Sequence, residues 1–350
     1  MSGTNAETDL ARSVPTIAQV SLVVAQSLNV DATSDRELDQ VPTVMLRTEN
    51  GEPEWRLGGE EVTKKACLRL FAMYFEKYHH FCPILDPTKP PEELHKKSPA
   101  PFWTVIGIAA RQDREMPDLL ARLKPSLEDM LQTMMFNNPT YVPHVQAMIL
   151  WAVWPLPNLR SWNDKTLLVI SAAVPHAMQL GLHRPGFEDE YSRMGFFVFR
   201  SGAWCDDPDE QEAVRRERTK TWLALIATYQ SAYLEYGHLP MLCPSDRSTR
   251  PTVDQIRQAD IAPELVYYQK LSNFMQYSMK DIDELGLVHQ GNAEEFYMSM
   301  MKLERQMAAI EINIVNPSWM IALRLQSSKL YLRMMYFLDD EPSESRTRPC

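Results

Sequence analysis

Residues 163–181 read NDKTLLVISAAVPHAMQLG, and this stretch decides the fold. Asn163 is a good N-cap, because its side-chain oxygen can accept from the free N–H groups of a first helical turn. Gly181 is a good C′ residue, because it enters the left-handed region without a Cβ penalty. Between them a helix is predicted over Asp164–Leu180. Leu167, Leu168, Ile170, Ala173, Val174, Ala177, Met178 and Leu180 are its apolar positions. Pro175 lies inside the run and predicts a kink, since proline lacks the N–H that would close the turn.

Working outward, the same punctuation recurs. From Glu60 to His80 the period is helical, with Leu68, Phe71, Phe75 and Tyr78 as a stripe. Pro83 stops that helix, and Ile84 to Pro87 reads as a short buried extended segment or turn. Pro90, Pro91, Pro99 and Pro101 frame a connector before a helix at Phe102–Ala110. Pro117 can open the next helix. Pro125 is expected to divide it, with the second piece carrying Leu127, Met130, Leu131, Met134 and Met135. Pro143 opens a run that ends near Trp154 and Pro155. Residues 185–206 read as a long loop. Asp207-Pro208 caps a long helix to Tyr236, acidic at its start as the helix dipole favours, and Gly237 ends it. Further helices are expected near 263–285, 292–313 and 317–338. No hairpin series and no repeat period is visible. The expected class is therefore all-α, a large helical domain of antiparallel helices over residues 58–338. Residues 1–57 are expected to be largely disordered, with one helix over Pro15–Leu28. Asn29 to Trp55 reads as linker, which Gly58-Gly59 ends. Residues 339–350 read as a disordered tail.

Composition narrows the function. The 350 residues include only 12 glycines, against a usual share of about 7%. There is no G-x-G-x-x-G and no G-x-x-x-x-G-K-[ST], so a glycine-cradled nucleotide site is not expected. The formal net charge is −10, the wrong sign for a chain that grips DNA by neutralising phosphates. The densest basic group, Arg215, Arg216, Arg218 and Lys220, is interleaved with Glu210, Glu212 and Glu217. It reads as a solvated helix face with pairs such as Glu212–Arg216. Cys67, Cys82, Cys205, Cys243 and Cys350 form no C-x-x-C and no zinc-finger spacing with histidine. With no signal peptide at the start, reduced intracellular thiols are expected. The longest apolar stretch, Val145 to Leu156, is too short to span a bilayer.

No catalytic signature emerges. His79-His80 with Cys82 lacks the i, i+4 spacing of a helical metal pair, and reads as a histidine pair packed at a helix end. Asp206, Asp207, Asp209 and Glu210 lack the glycine and final glutamate of a calcium loop and read as helix capping. His183-Arg184 suits a helix C-terminus. No G-x-S-x-G elbow occurs. The methionine clusters Met134-Met135, Met298, Met300-Met301 and Met334-Met335 read first as core filler. Trp151, Trp154, Trp222 and Trp319 read as core anchors. Thus no catalytic, cofactor-binding, metal or DNA-contacting residue is assigned.

Three segments carry a resemblance. They are Tyr74–Pro87 (YFEKYHHFCPILDP), Ala177–Arg184 (AMQLGLHR), and Arg215–Trp222 (RRERTKTW) continuing to Glu235–Leu242 (EYGHLPML). Pro101–Ile106 has the same look. In this order they resemble the regulatory (middle homology) region of fungal zinc binuclear cluster transcription factors, over roughly 60–250. The family's zinc module is a cysteine-rich N-terminal segment, and residues 1–57 contain no cysteine. The resemblance implies an all-helical regulatory domain acting in transcription in the nucleus, on a metabolic or secondary-metabolite gene set. It implies no enzymatic activity and no cofactor. The implied partners are other transcription factors or coregulators, as homo- or heterodimer, with a small-molecule effector and only indirect DNA contact. An effector site is expected as an apolar groove between helices with few polar groups. The alternative reading is a helical enzyme or small-molecule-binding protein of an unrelated family.

Overall fold

The computed structural model describes residues 43–47, 53–136, 141–157, 164–184, 208–242, 261–284 and 293–337. Ten α-helices stand among them: α1 (Lys64–Lys77), α2 (Pro91–Lys97), α3 (Pro99–Ala109), α4 (Leu119–Phe136), α5 (Val142–Val153), α6 (Thr166–Gln179), α7 (Pro208–Glu235), α8 (Pro263–Glu284), α9 (Ala293–Ile312) and α10 (Trp319–Met334). The all-α expectation holds. The readings at Pro15–Leu28, 185–206, Asn163, Asp206, Asp207 and the tail 339–350 fall outside the described residues.

Three short strands, β1 (Thr43–Arg47), β2 (Pro53–Leu57) and β3 (Glu60–Thr63), form an antiparallel meander. Two of them stand where a linker was expected, and β3 replaces the first turn expected of the Glu60–His80 helix. The physical reason lies in the turn. Leu57 pairs with Glu60, so Gly58-Gly59 is a two-residue hairpin loop. Gly58 has φ 62°, which a tight hairpin requires of its first central residue. A Cβ there would also sit 2.3 Å from Ser126 Oγ. Trp55, Leu57 and Val62 are fully buried, which gives the alternation that holds the hairpin on the helices.

Thr63 then caps α1, its side chain accepting from the Ala66 N–H. The buried face of α1 is Cys67, Leu70, Phe71 and Tyr74. Leu68, predicted for the stripe, is 46% exposed. The observed set follows i, i+3, i+4, i+7 from Cys67, the spacing of one helical face.

Helices α3 and α5 form the centre. Every residue of α3 after Pro99 is buried, and so are ten of the twelve in α5. A helix apolar all round belongs in the interior of a large domain. Both open on proline in the first turn, where its missing N–H costs nothing. They pack against each other, α1 and α2 pack on α3, and α6 and α7 pack on α5. Trp151 and Trp222 are buried as expected of core anchors, Trp154 is half-buried, and Trp319 is 59% exposed. The methionine clusters divide: Met300 and Met335 are core, while Met298 and Met334 are exposed.

Pro125 does not divide its helix: α4 runs unbroken through it, and α6 continues through Pro175. Both prolines are exposed, and so is Ala121, whose carbonyl Pro125 leaves unbonded. Such a carbonyl at the solvent face is satisfied by water, so the turn survives.

The apolar interior forms two clusters. The first extends from β2 to the middle of α7 and the start of α8. The second is built from α8, α9 and α10 around Met300, Leu303, Leu325 and Leu332, and includes Leu234 from the end of α7. Helix α7 therefore belongs to both. Its seam with α8 is polar at the centre. Gln230 Nε2 donates to Asn273 Oδ1 (2.8 Å) and Gln276 Oε1 (2.6 Å), and Gln276 Nε2 donates to the carbonyls of Pro240 and Leu242. These bonds fix the chain after α7 against α8 and pair the buried Gln230 and Gln276 amide N–H groups, although Gln230 Oε1 is left without a partner among the described residues.

Candidate functional site

The three motif segments lie far apart in sequence, and the fold brings them together along α7. The second segment ends α6. Gly181 has φ 72°. The Leu182 N–H donates to the Ala177 carbonyl, and the Gly181 N–H to the Met178 carbonyl. This is the double bond of a Schellman terminus. The third segment completes it: Arg218 of α7 donates through Nη2 to the Leu180 carbonyl at 2.5 Å, and the ring of His183 lies on Trp222 at 6.0 Å. The same motif closes α7, with Gly237 at φ 73° and the His238 N–H donating to Tyr233.

Arg218 corrects the solvated-face reading. Arg215 and Arg216 are exposed and pair with Glu212 (3.0 and 3.4 Å), but Arg218 is only 3% exposed. It ties one helix end to the flank of another. Replacing it with methionine keeps the bulk and removes the donor. The expected cost is about 2 kcal/mol, the range of a hydrogen bond to a charged donor. Arg218→Lys is expected to recover only part, because an ammonium lacks the planar fork. Urea denaturation of both variants reads this directly.

The first segment ends α1 and turns through a 3-10 helix at His79–Phe81. Tyr78 and Phe81 meet Trp154 edge-on at 5.0 and 4.9 Å. His79 packs against Phe75 at 5.0 Å, as the packed-pair reading expected. Burial holds its pKa down to about 4, with His80 and Lys220 pushing the same way and Asp86 opposing. Burial also pushes the Cys82 thiol up to about 12, and Cys67 is raised by burial as well. A thiol protonated at neutral pH is no nucleophile. Among the described residues no group of three histidine, cysteine or carboxylate side chains could hold a metal ion. Among them, too, no helix is long and apolar enough to cross a membrane.

Two cavities border α7. Its N-terminal half faces α1, α2 and the 84–89 turn across an open groove of about 560 Å³. Phe71, Phe75 and Leu94 line its apolar part, and Lys97, Glu217 and Lys220 its charged part, with Lys97 Nζ 2.9 Å from Glu217. The first and third segments therefore share one groove. The C-terminal end of α7 faces a second cavity of about 290 Å³ between α7, α8, α10 and Phe81. Leu234, Leu271, Met275, Met320 and Leu323 form the apolar part of its lining. Its polar members are a Ser231–Ser272 pair at 2.9 Å, Glu235, Arg324, Ser327, Ser328 and Tyr331. The Tyr331 hydroxyl donates to the Leu234 carbonyl. No sequence signal marks this cavity, because its walls come from four separate parts of the chain.

No protein-family profile and no solved structure matches the chain. Curated proteins do. It is 26% identical over 306 residues to the putative transcription factor SEF1 of Eremothecium gossypii, covering 84% of this chain and 27% of that protein. It is 24% identical over 312 residues to the regulatory protein LEU3 of Saccharomyces cerevisiae, covering 81% of this chain and 32% of that one. It is 26% identical over 330 residues to the transcriptional regulatory protein SEF1 of Candida albicans, covering 89% and 33%. The chain thus spans about a quarter to a third of the length of these relatives. Over more than four fifths of its own length it is a homologue of fungal transcription regulators, the class of protein that its three motif segments resemble.

Proposed function

We propose that this chain is a fungal transcription regulator that works through its helical domain, by protein contact and in answer to a small effector, without chemistry of its own. The observation that carries the reading is the similarity to transcription factors over at least 81% of the chain in three organisms. We assign the regulatory domain to residues 58–338. Its place of action is the nucleus, and its partners are other transcription factors or coregulators, with a metabolic or secondary-metabolite gene set as the output. A net charge of −10 favours reaching DNA through such a partner, since phosphate contact demands compensating cations.

The test pairs a deletion strain with purified protein. Transcript profiling is expected to show a coherent set of genes changing together. An electrophoretic shift assay with the 350-residue chain and promoter DNA is expected to show no retarded band at physiological salt. Tight sequence-specific binding by the chain alone would contradict the indirect route. Unchanged transcripts together with substrate turnover would favour an unrelated helical enzyme.

A further inference from the structure

The cavity at the end of α7 holds two opposite charges that do not meet. Arg324 is fixed in place: its Cζ lies 3.3 Å from the ring centroid of Tyr268, and its Nη2 donates to the Phe81 carbonyl at 2.6 Å. That bond occupies one of the five N–H donors a guanidinium carries. Glu235 stands at the mouth, exposed on one side. It accepts no side-chain hydrogen bond and forms no ion pair within 4 Å among the described residues. The two feel each other, since Arg324 lowers the Glu235 pKa while burial, the larger effect, raises it. An acceptor and a donor thus line one largely apolar space, near enough to interact and too far apart to touch.

We propose that this cavity binds a small zwitterionic molecule with an apolar body, of the class of the large apolar α-amino acids. The ammonium group would meet Glu235, the carboxylate Arg324, and the side chain the wall of Leu271, Met275 and Met320. Three physical arguments select this class. A carboxylate-only ligand would place its charge near Glu235 without compensation, and an amine-only ligand would do the same beside Arg324. A purely apolar ligand would desolvate both charges and pair neither, which is costly. A space of about 290 Å³ sits at the low edge of the roughly 300–1,000 Å³ that drug-sized ligands occupy, so an amino acid is of fitting size. Methionine walls adapt to side chains of different shape.

The biological use of this site rests on the regulatory reading above, but binding is measured independently of it. Isothermal titration calorimetry of the full chain would use L-phenylalanine, L-methionine, 3-phenylpropanoate and phenethylamine as probes. The two amino acids are expected to bind at least tenfold more tightly than either truncated analogue. Glu235→Gln, a mild change at a partly exposed position, is expected to abolish the preference for L-phenylalanine over 3-phenylpropanoate. Arg324→Gln is expected to abolish the preference over phenethylamine. Because Arg324 also holds Phe81, Ser328→Phe serves as a second variant; it fills the cavity from α10 without removing either charge and is expected to eliminate binding. Equal affinity for L-phenylalanine and 3-phenylpropanoate in the unaltered chain would overturn the proposal. So would absence of binding by every probe at millimolar concentration, or amino-acid binding unchanged by Glu235→Gln and Ser328→Phe. If binding fails while transcripts still respond to deletion of the gene, the ligand class is lost and the regulator remains.

Discussion

Gly107→Val is expected to destabilise the domain by about 3 kcal/mol or more, the upper range for overpacking a core. Gly107 is in α3, the helix buried on nearly all sides. A Cβ built there would lie 2.8 Å from Leu127 Cδ1 and 2.9 Å from Trp151 Cη2. Neither neighbour can retreat, because Leu127 is fully buried and Trp151 is 1% exposed. Three added carbon atoms therefore force α3 away from α4 and α5 together. Gly107→Ala is the finer test. Alanine gains about 1 kcal/mol of helix propensity over glycine, so a net loss of stability isolates the packing cost. Gly107→Ala combined with Trp151→Leu, which opens space for the methyl group, is expected to cost less than the sum of the two single changes. Urea midpoints at constant slope measure all three. A Gly107→Val protein as stable as the parent would show that the close approach of these helices is not real.

Acid is expected to weaken the fold through His79. In the folded chain its pKa is held near 4, while an unfolded histidine titrates near 6.5. Between those values the unfolded chain takes up a proton that the folded chain refuses. Stability is therefore fully present above pH 6.5 and is lost as pH falls toward 4. At 1.36 kcal/mol per unit, the loss is on the order of 2–3 kcal/mol by pH 4.5. His95 and His176 are shifted down by burial and add to the same trend. Glu235, shifted up by burial, opposes it weakly at the acid end. His79→Phe keeps an aromatic ring among Tyr74 and Phe75 and cannot ionise. Its urea midpoint is expected to fall less than that of the parent between pH 7.5 and 4.5. An identical acid loss in both proteins would remove His79 as the cause.

Helices were legible where the chain punctuates them. Pro143 opens α5, and Gly181 and Gly237 close α6 and α7, because these residues act through local backbone geometry alone, whereas the connector expected at Pro90–Pro101 is occupied by α2 and the first turn of α3. The hairpin at 53–63 was missed although Gly58-Gly59 announces it. Among its described residues the inward ones are Trp55, Leu57 and Val62, set in a sequence with six charged residues, Glu52, Glu54, Arg56, Glu60, Glu61 and Lys64. That polarity hid a short alternation. Pro125 misled for the reverse reason: its local rule is sound, but exposure at the helix surface relaxes it. Arg218 looked like its exposed neighbours Arg215 and Arg216, and only the position of the α6 terminus reveals its partner. The 290 Å³ cavity was not legible in the sequence. Its walls at 81, 231–235, 268–275 and 320–331 meet only through tertiary packing, which no periodicity encodes.

Helix α7 has a mechanical consequence. Its 28 residues make a rod of about 42 Å, clamped at Trp222 in one apolar cluster and at Leu234 in the other. Pivoting one cluster against the other requires either bending that rod or snapping its ladder of backbone bonds. Any displacement of one cluster relative to the other must therefore be taken up along α7.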